Sequence, residues 1–320
     1  MSDKMYRKII VSLVFLGILV AAGMPGLFGC ATVVTTTSTT TTTLGWSSQT
    51  SGTDQQLNDV SFVNANNGWT AGYSGTILKY DGSSWASQEL GSGTGLSGVN
   101  FVDATHGWVI GNGDVFATTN GGVTWTEQTI SRVLGLVRKI AFVDENTGWA
   151  TGYNGVLFAT ANGGATWNSQ ASPTTNELTY LSFVDTTHGW AVGDSGTILM
   201  YDGTSWATQA GGTTQYLNSV SFVDTTHGWA VGNSGTILMY DGTSWTAQDS
   251  GTTTRLRGVS FVDATHGWAV GDDGTILKYN GTSWTTQESG TTQVLEKVDF
   301  VDATHGWAVG RNGTILYYGP

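Results

Sequence analysis

Five times the chain places an aspartate three residues before a histidine: Asp103 and His106, Asp185 and His188, Asp224 and His227, Asp263 and His266, Asp302 and His305. Singly, a carboxylate and an imidazole at that spacing suit a metal site or a charge-relay pair. As a set they suit neither. Each pair occupies the same place in a recurring phrase, so folding spreads the pairs apart, and no distinctive Ser or Cys accompanies them as a nucleophile. They predict polar turns in which side chains hold nearby backbone groups. No metal, cofactor or catalytic residue is assigned.

The recurring phrase identifies the elements that carry these turns. Gly-Trp recurs with its tryptophan at Trp69, Trp108, Trp149, Trp190, Trp229, Trp268 and Trp307, so the period is near forty residues. Each unit holds four short apolar stretches divided by Gly, Asp, Asn and Ser turns. Val60-Ser61-Phe62 and its copies predict a first strand, Gly-Trp-Ala-Val-Gly a second, a stretch beginning Gly196-Thr197-Ile198-Leu199 a third, and Trp206-Ala207-Thr208-Gln209 a fourth. Glycine is too frequent for helices. The domain is therefore all-β, and four strands per repeat make one blade of a β-propeller.

Ring closure is legible as well. The last repeat ends at Tyr317-Tyr318-Gly319-Pro320 without a fourth strand, while Trp46-Ser47-Ser48-Gln49 matches that strand ahead of the first repeat. Pairing the two completes a seventh blade and leaves no open edge between the termini. The remaining tryptophans, at 46, 85, 125, 167, 206, 245 and 284, fill the second fixed Trp position. A buried Trp removes roughly 150–250 Å² from water, worth at most about 4–6 kcal/mol, so both sets are read as blade packing rather than ligand platforms.

Residues 1–29 form a different object. Lys4, Arg7 and Lys8 precede an apolar run over residues 9–20, and Leu27-Phe28-Gly29-Cys30 follows. This reads as an export signal, and its end resembles a bacterial lipobox, with Cys30, the only cysteine, as the expected lipidated residue. An uncleaved span over residues 9–28 would also be long enough to cross a bilayer. Either way the propeller, residues 46–320, is expected outside the cytoplasm and tethered to a membrane. The Thr-rich residues 30–45 read as a stalk.

Charge narrows the partners. Without Asp3, Lys4, Arg7 and Lys8 the 24 acidic and 12 basic residues fall to 23 and 9, a net charge of −14. Nucleic acid does not suit such a surface. The five remaining arginines fall on one face, formed by the turns from fourth to first strand and from second to third. Arg132 and Arg255 precede first strands, Arg138 and Arg257 open the first strands of blades three and six, and Arg311 lies in a second-to-third turn. Asp194, Asp272 and Asp273 on the same face partly cancel their field. The arginines are the candidate partner-binding residues, and Tyr73, Tyr153, Tyr180 and Tyr216, expected exposed nearby, are suited to stacking on sugars.

The phrase F-V-D-x-x-H-G-W-A-V-G-x-x-G-T-I-L at residues 183–199, 222–238, 261–277 and 300–316 resembles the repeat of the photosystem II assembly and stability factor family of seven-bladed propellers. The turns at 118–125 and 160–167 resemble the Asp-box, or BNR repeat, of sialidase-like propellers; the other blades carry a shorter turn or, in blade seven, none. The first resemblance implies help to a membrane complex through an arginine patch near the channel, with Arg138 and Arg257 the equivalents by location. The second raises a sialidase-like glycosidase, which needs carboxylates, an arginine triad and a nucleophile drawn from different blades. Residues 185–209 and 224–248 differ at only three positions, Asp194/Asn233, Ala207/Thr246 and Thr208/Ala247, which leaves little room there for dedicated catalysts. Any unusual site is expected near Arg132, Arg138, Lys139 and Glu145. The expectation is a non-enzymatic protein-binding scaffold, with a glycan- or cell-wall-binding propeller as the alternative.

Overall fold

Gly-Trp-Ala-Val-Gly can enter the middle of a sheet because glycine at each end clears space for what lies alongside. In blade five a Cβ on Gly228 would stand 2.3 Å from the Phe222 ring, and one on Gly232 would stand 2.3 Å from the Tyr216 carbonyl oxygen. The tryptophan between them is wholly buried. A computed structural model describes residues 44–128 and 137–320 of the chain, which form seven four-stranded antiparallel sheets. Each sheet runs first, second, third, fourth strand in order, and the first strands of successive sheets contact one another around a central channel. This is a seven-bladed propeller.

Closure follows the sequence expectation. Gly45–Gln49 pairs antiparallel with Ile315–Gly319, setting Trp46 opposite Tyr318 and Gln49 opposite Ile315. The strands at Gly228–Gly232 and Trp206–Gln209 fall where expected. Third strands start two residues later than expected, as in Ile198–Tyr201, because Asp194–Gly196 forms a 3-10 turn with Ser195 in the left-handed region at φ 55°. In blade two the turn is the two-residue Asn112-Gly113 hairpin, both residues at positive φ. Fourth strands in blades two and three are shortened to Thr126–Gln128 and Asn168–Ser169, leaving Trp125 and Trp167 just outside them.

The tryptophans form the wall between blades. Each inner Trp stacks on the first-strand Phe of the next blade, from Trp69 on Phe101 at 3.6 Å to Trp307 on Phe62 at 3.6 Å, which crosses the closure. Every one of those Phe rings also meets a Trp of the second set edge-on, as Phe261 meets Trp284 at 5.6 Å. Such pairs contribute about 0.5–1.5 kcal/mol each beyond the area they bury.

The two long turns add something the short ones lack. Thr118 Oγ1 accepts the Gly122 N–H at 2.9 Å and Asn120 Oδ1 accepts the Thr124 N–H at 3.0 Å, with the same pattern at Thr160 and Asn162. The carbonyls so presented, Gly121 and Gly163, accept the indole N–H of Trp69 and Trp108 at 3.2 and 2.8 Å. Among the described residues, the inner tryptophans of blades three to seven bury that N–H without a partner.

Candidate functional site

The mouth of the channel is built by a defect repeated in nearly every blade. In six of the seven first strands the register slips between the first and third residues, so the residue between them is unpaired. Asn58, Arg138, Thr179, Asn218, Arg257 and Glu296 occupy that bulge, and each lines the cavity at the mouth. The bulge sends two consecutive side chains inward where a regular strand would send one. Of the third residues of those strands, Lys139, Tyr180 and Lys297 line the same cavity, with buried Asp59 and Ser219 holding the two lysines.

Four of the five candidate arginines, Arg138, Arg255, Arg257 and Arg311, line one cavity of about 500 Å³. Arg132, like Cys30, the signal segment and nearly all of the stalk, lies outside the described residues. All four tyrosines line the same cavity, but they differ. Tyr73 and Tyr153 are 52% and 41% exposed. Tyr216 donates to Glu177 Oε2 at 2.9 Å, and Tyr180 is half-buried at the floor, with Lys297 Nζ 3.0 Å from its ring centre. The expectation of four exposed rings is corrected to two, because Tyr180 sits on a first strand and points into the channel.

The arginines are more constrained than a free anion patch. Arg138 bonds Glu177 and stacks over Tyr153 at 5.0 Å. Arg257 bonds Asp272 and reaches Glu296 Oε2 at 3.0 Å, while Arg311 Nε lies 3.6 Å from Glu296 Oε1. Burial works against the charge on Arg138 and Arg257, but the carboxylates outweigh it and hold both guanidinium groups above their ordinary range. Arg255 is different. It donates to Asn218 Oδ1 at 2.7 Å and, among the described residues, meets no carboxylate within ion-pair distance and buries its Nε without a partner. Burial and the neighbouring Arg257 pull its pKa down. It is the cation of the mouth with most to gain from an incoming acceptor.

Beneath the arginines, Asp59 and Lys139 pair across the channel at 3.0 Å, and the Asp59 carboxylate also takes the Val60 and Val99 N–H groups at 3.2 Å. Lys297 donates to Ser219 Oγ at 2.6 Å, and burial lowers its pKa. Lower still, a ring of side chains ties blade to blade. Ser61, Asn100, Ser182, Ser221, Ser260 and Asp299 each accept the backbone N–H of the Phe one blade on, at 2.7 to 3.1 Å. Only the step from blade three to blade four lacks this bond, because Ala141 stands in place of the acceptor.

Glu145 does not join Arg138 and Lys139. It lies in a first-to-second turn, on the opposite face, exposed and 3.6 Å from His106 Nε2. The Asp-x-x-His turns lie on that face too and behave as expected. In the fifth blade Asp224 Oδ1 accepts the Thr226 and His227 N–H groups at 2.7 and 2.9 Å and the imidazole closes on the same carboxylate at 3.0 Å. Burial notwithstanding, the Thr226 hydroxyl and N–H together with the His227 imidazole hold the Asp224 carboxyl at about 2. Among the described residues no three His, Cys, Asp or Glu side chains converge as metal ligands.

Glu177, Glu296, Lys297 and Asp299 were not singled out from the sequence. Only Asp299 carried a signal, standing where four other first strands carry Ser61, Ser182, Ser221 and Ser260; the positions of Glu177, Glu296 and Lys297 vary from blade to blade, so the repeat offers no reference there.

Residues 79–168 and 130–202 match the model of the family described as photosynthesis system II assembly factor YCF48. Among solved structures, a YCF48 bound to a D1 peptide is 20% identical with a TM-score of 0.73, covering 86% of this chain and 95% of that one. YCF48 from Cyanidioschyzon merolae is 21% identical with a TM-score of 0.72, covering 86% and 99%. The WD40 propeller domain of Doa1 is 14% identical with a TM-score of 0.70, covering 87% and 97%. No curated protein matches the sequence significantly. Its repeats and ring make the chain a seven-bladed propeller, similar over residues 79–202 to the photosystem II assembly factor family.

Proposed function

We propose that this protein is a membrane-tethered, extracytoplasmic, non-enzymatic scaffold that receives a segment of a partner protein in the arginine-bearing mouth of its channel. The observation that carries this reading is the convergence of Arg138, Arg255, Arg257 and Arg311 with exposed Tyr73 and Tyr153 on one cavity of about 500 Å³. Arg255 supplies an uncompensated cation, and the paired arginines can exchange their carboxylates for those of a ligand. The peptide-bound YCF48 structure supports a polypeptide as the occupant. The acids of the mouth, Glu177, Asp272 and Glu296, are each engaged by an arginine, which favours binding over a sialidase-like reaction. We read the turns at Asn120 and Asn162 as Asp-box turns serving the wall between blades, and Cys30 as the lipid anchor. Tyr73 and Tyr153 favour glycan binding as the second reading.

The test is affinity purification of the tagged full-length protein from crosslinked native membranes beside Arg138→Gln with Arg255→Gln. Neutral substitution is preferred to charge reversal, which would gather unpaired acids at the mouth. A defined membrane complex recovered by the wild type and lost by the variant supports the scaffold. Equal recovery by both contradicts the site, and retention by envelope polysaccharide alone moves the reading to glycan.

A further inference from the structure

Tyr180 and Lys297 line both the mouth cavity and a deeper compartment of about 210 Å³. That compartment is walled by Ser61, Asn100, Ser182, Ser221, Ser260 and Asp299. The four serines use their oxygens to accept the N–H groups of Phe101, Phe222, Phe261 and Phe300. A hydroxyl that accepts still carries one O–H to donate, and none of the four gives it to a protein acceptor among the described residues. Asn100 is alike: its Oδ1 takes the Phe142 N–H at 2.8 Å, which turns its NH₂ away from that bond and without a protein acceptor among the described residues.

The charges sharpen the picture. Lys139 is answered by Asp59, whereas Lys297 has no carboxylate within ion-pair distance among the described residues. Of its three N–H directions one goes to Ser219 and the Tyr180 ring faces another, leaving one for a ligand. On the acceptor side stands Asp299 alone, its Oδ2 taking the Phe62 N–H at 2.7 Å. Five neutral donors and one unanswered ammonium therefore face a single carboxylate.

We propose that the deeper compartment is a binding site for a small monovalent anion, of halide or small carboxylate size, held by the Ser61, Ser182, Ser221 and Ser260 hydroxyls, the Asn100 amide and Lys297. One unanswered cation balances one negative charge, and preset donors replace the water such an ion gives up. Asp299 tunes the site. It faces Lys297 on its own strand, Asp59 from the next blade and Tyr180 across the channel, and burial together with Asp59 pushes its carboxyl up to about 7, against a bond from Phe62 and the attraction of Lys297. Below that pH the carboxyl loses its charge and gains a donor, so anion binding tightens as pH falls through 7.

Bromide is the probe. Crystals of the protein soaked in sodium bromide at about pH 5.5 and about pH 8.5 locate the ion by anomalous scattering, and chloride-35 line broadening reads affinity in solution across the same range, which brackets the Asp299 transition. The expected result is a bromine peak among the four serines at the lower pH and binding roughly ten-fold weaker at the higher, a difference of about 1.4 kcal/mol. Asp299→Asn keeps an oxygen for the Phe62 N–H and should bind more tightly than the wild type at the higher pH, where the native carboxylate repels the ion; Lys297→Met should lose the peak. No bromine in this compartment at the lower pH, a peak confined to the mouth arginines, or Asp299→Asn binding no more tightly than the wild type at the higher pH would each overturn the site.

Discussion

The wall between the blades and the lining of the channel are made by the same repeat, yet they obey opposite rules. In the wall the same contact recurs seven times, with the inner Trp-to-Phe stacks all between 3.5 and 3.8 Å. In the lining, one bulge position carries Asn58, Arg138, Thr179, Asn218, Arg257 and Glu296 in six different blades. Repetition keeps the ring uniform, because a blade that packs differently fits neither neighbour. The bulge residues face the lumen rather than the packed wall, so they can vary blade by blade. Function in this molecule is to be sought where the repeat breaks.

The largest expected effect falls on the wall. Trp229→Ala removes a fully buried ring stacked at 3.5 Å on Phe261, and should cost about 3–5 kcal/mol in denaturant unfolding. Trp190→Ala and Trp268→Ala should match it, since their surroundings are near copies. Markedly unequal costs would break the claim that the wall is uniform.

The ring of serine caps comes next. Ser221→Ala leaves the Phe261 N–H without its acceptor and should cost about 1–3 kcal/mol, while Ala141→Ser, which supplies the one missing cap, should gain about 0.5–1.5 kcal/mol. A gain at position 141 shown by raised Tm would identify the junction of blades three and four as the weak seam.

Asp299 gives a pH signature to the lining. Its carboxyl lies at about 7 in the folded chain against 3.8 ordinarily, so the folded state keeps a proton that the unfolded chain releases between about pH 4 and 7. Stability from this group is fully present below about pH 4 and lost as pH rises through 7, on the order of 1–2 kcal/mol given its partial exposure. Asp299→Asn should flatten that limb in unfolding measured across the range.

The smallest effect belongs to the feature that looks most chemical. His227→Ala disturbs an exposed pair and should change stability by no more than about 0.5 kcal/mol.

These contrasts explain what was legible in the sequence. Trp229 and Phe222 recur at fixed spacing, so strands, blade number and the closure of Trp46 against Tyr318 could be read directly. The grouping of Arg138, Arg255, Arg257 and Arg311 followed from knowing which turns share a face. What escaped was pairing across blades. Glu296 meeting Arg257, or Asp59 meeting Lys139 eighty residues away, depends on where the bulge aims a side chain, and the period does not encode that aim. Glu145 shows the converse: near Arg138 in sequence, it sits in the turn after that strand and so lies on the opposite face.

The most direct test makes the lining uniform while sparing the wall. Asn58 and Asn218 each donate to the leucine carbonyl of the next blade, at 2.6 and 2.7 Å, so Arg138→Asn, Arg257→Asn and Glu296→Asn together extend a bond the ring already makes. Unfolding and co-purification from crosslinked membranes are measured on the same preparation of this triple variant. An unchanged melting transition with loss of the membrane partner is the predicted result. Capture at wild-type level by the folded variant would contradict the claim that the breaks in the repeat carry the function.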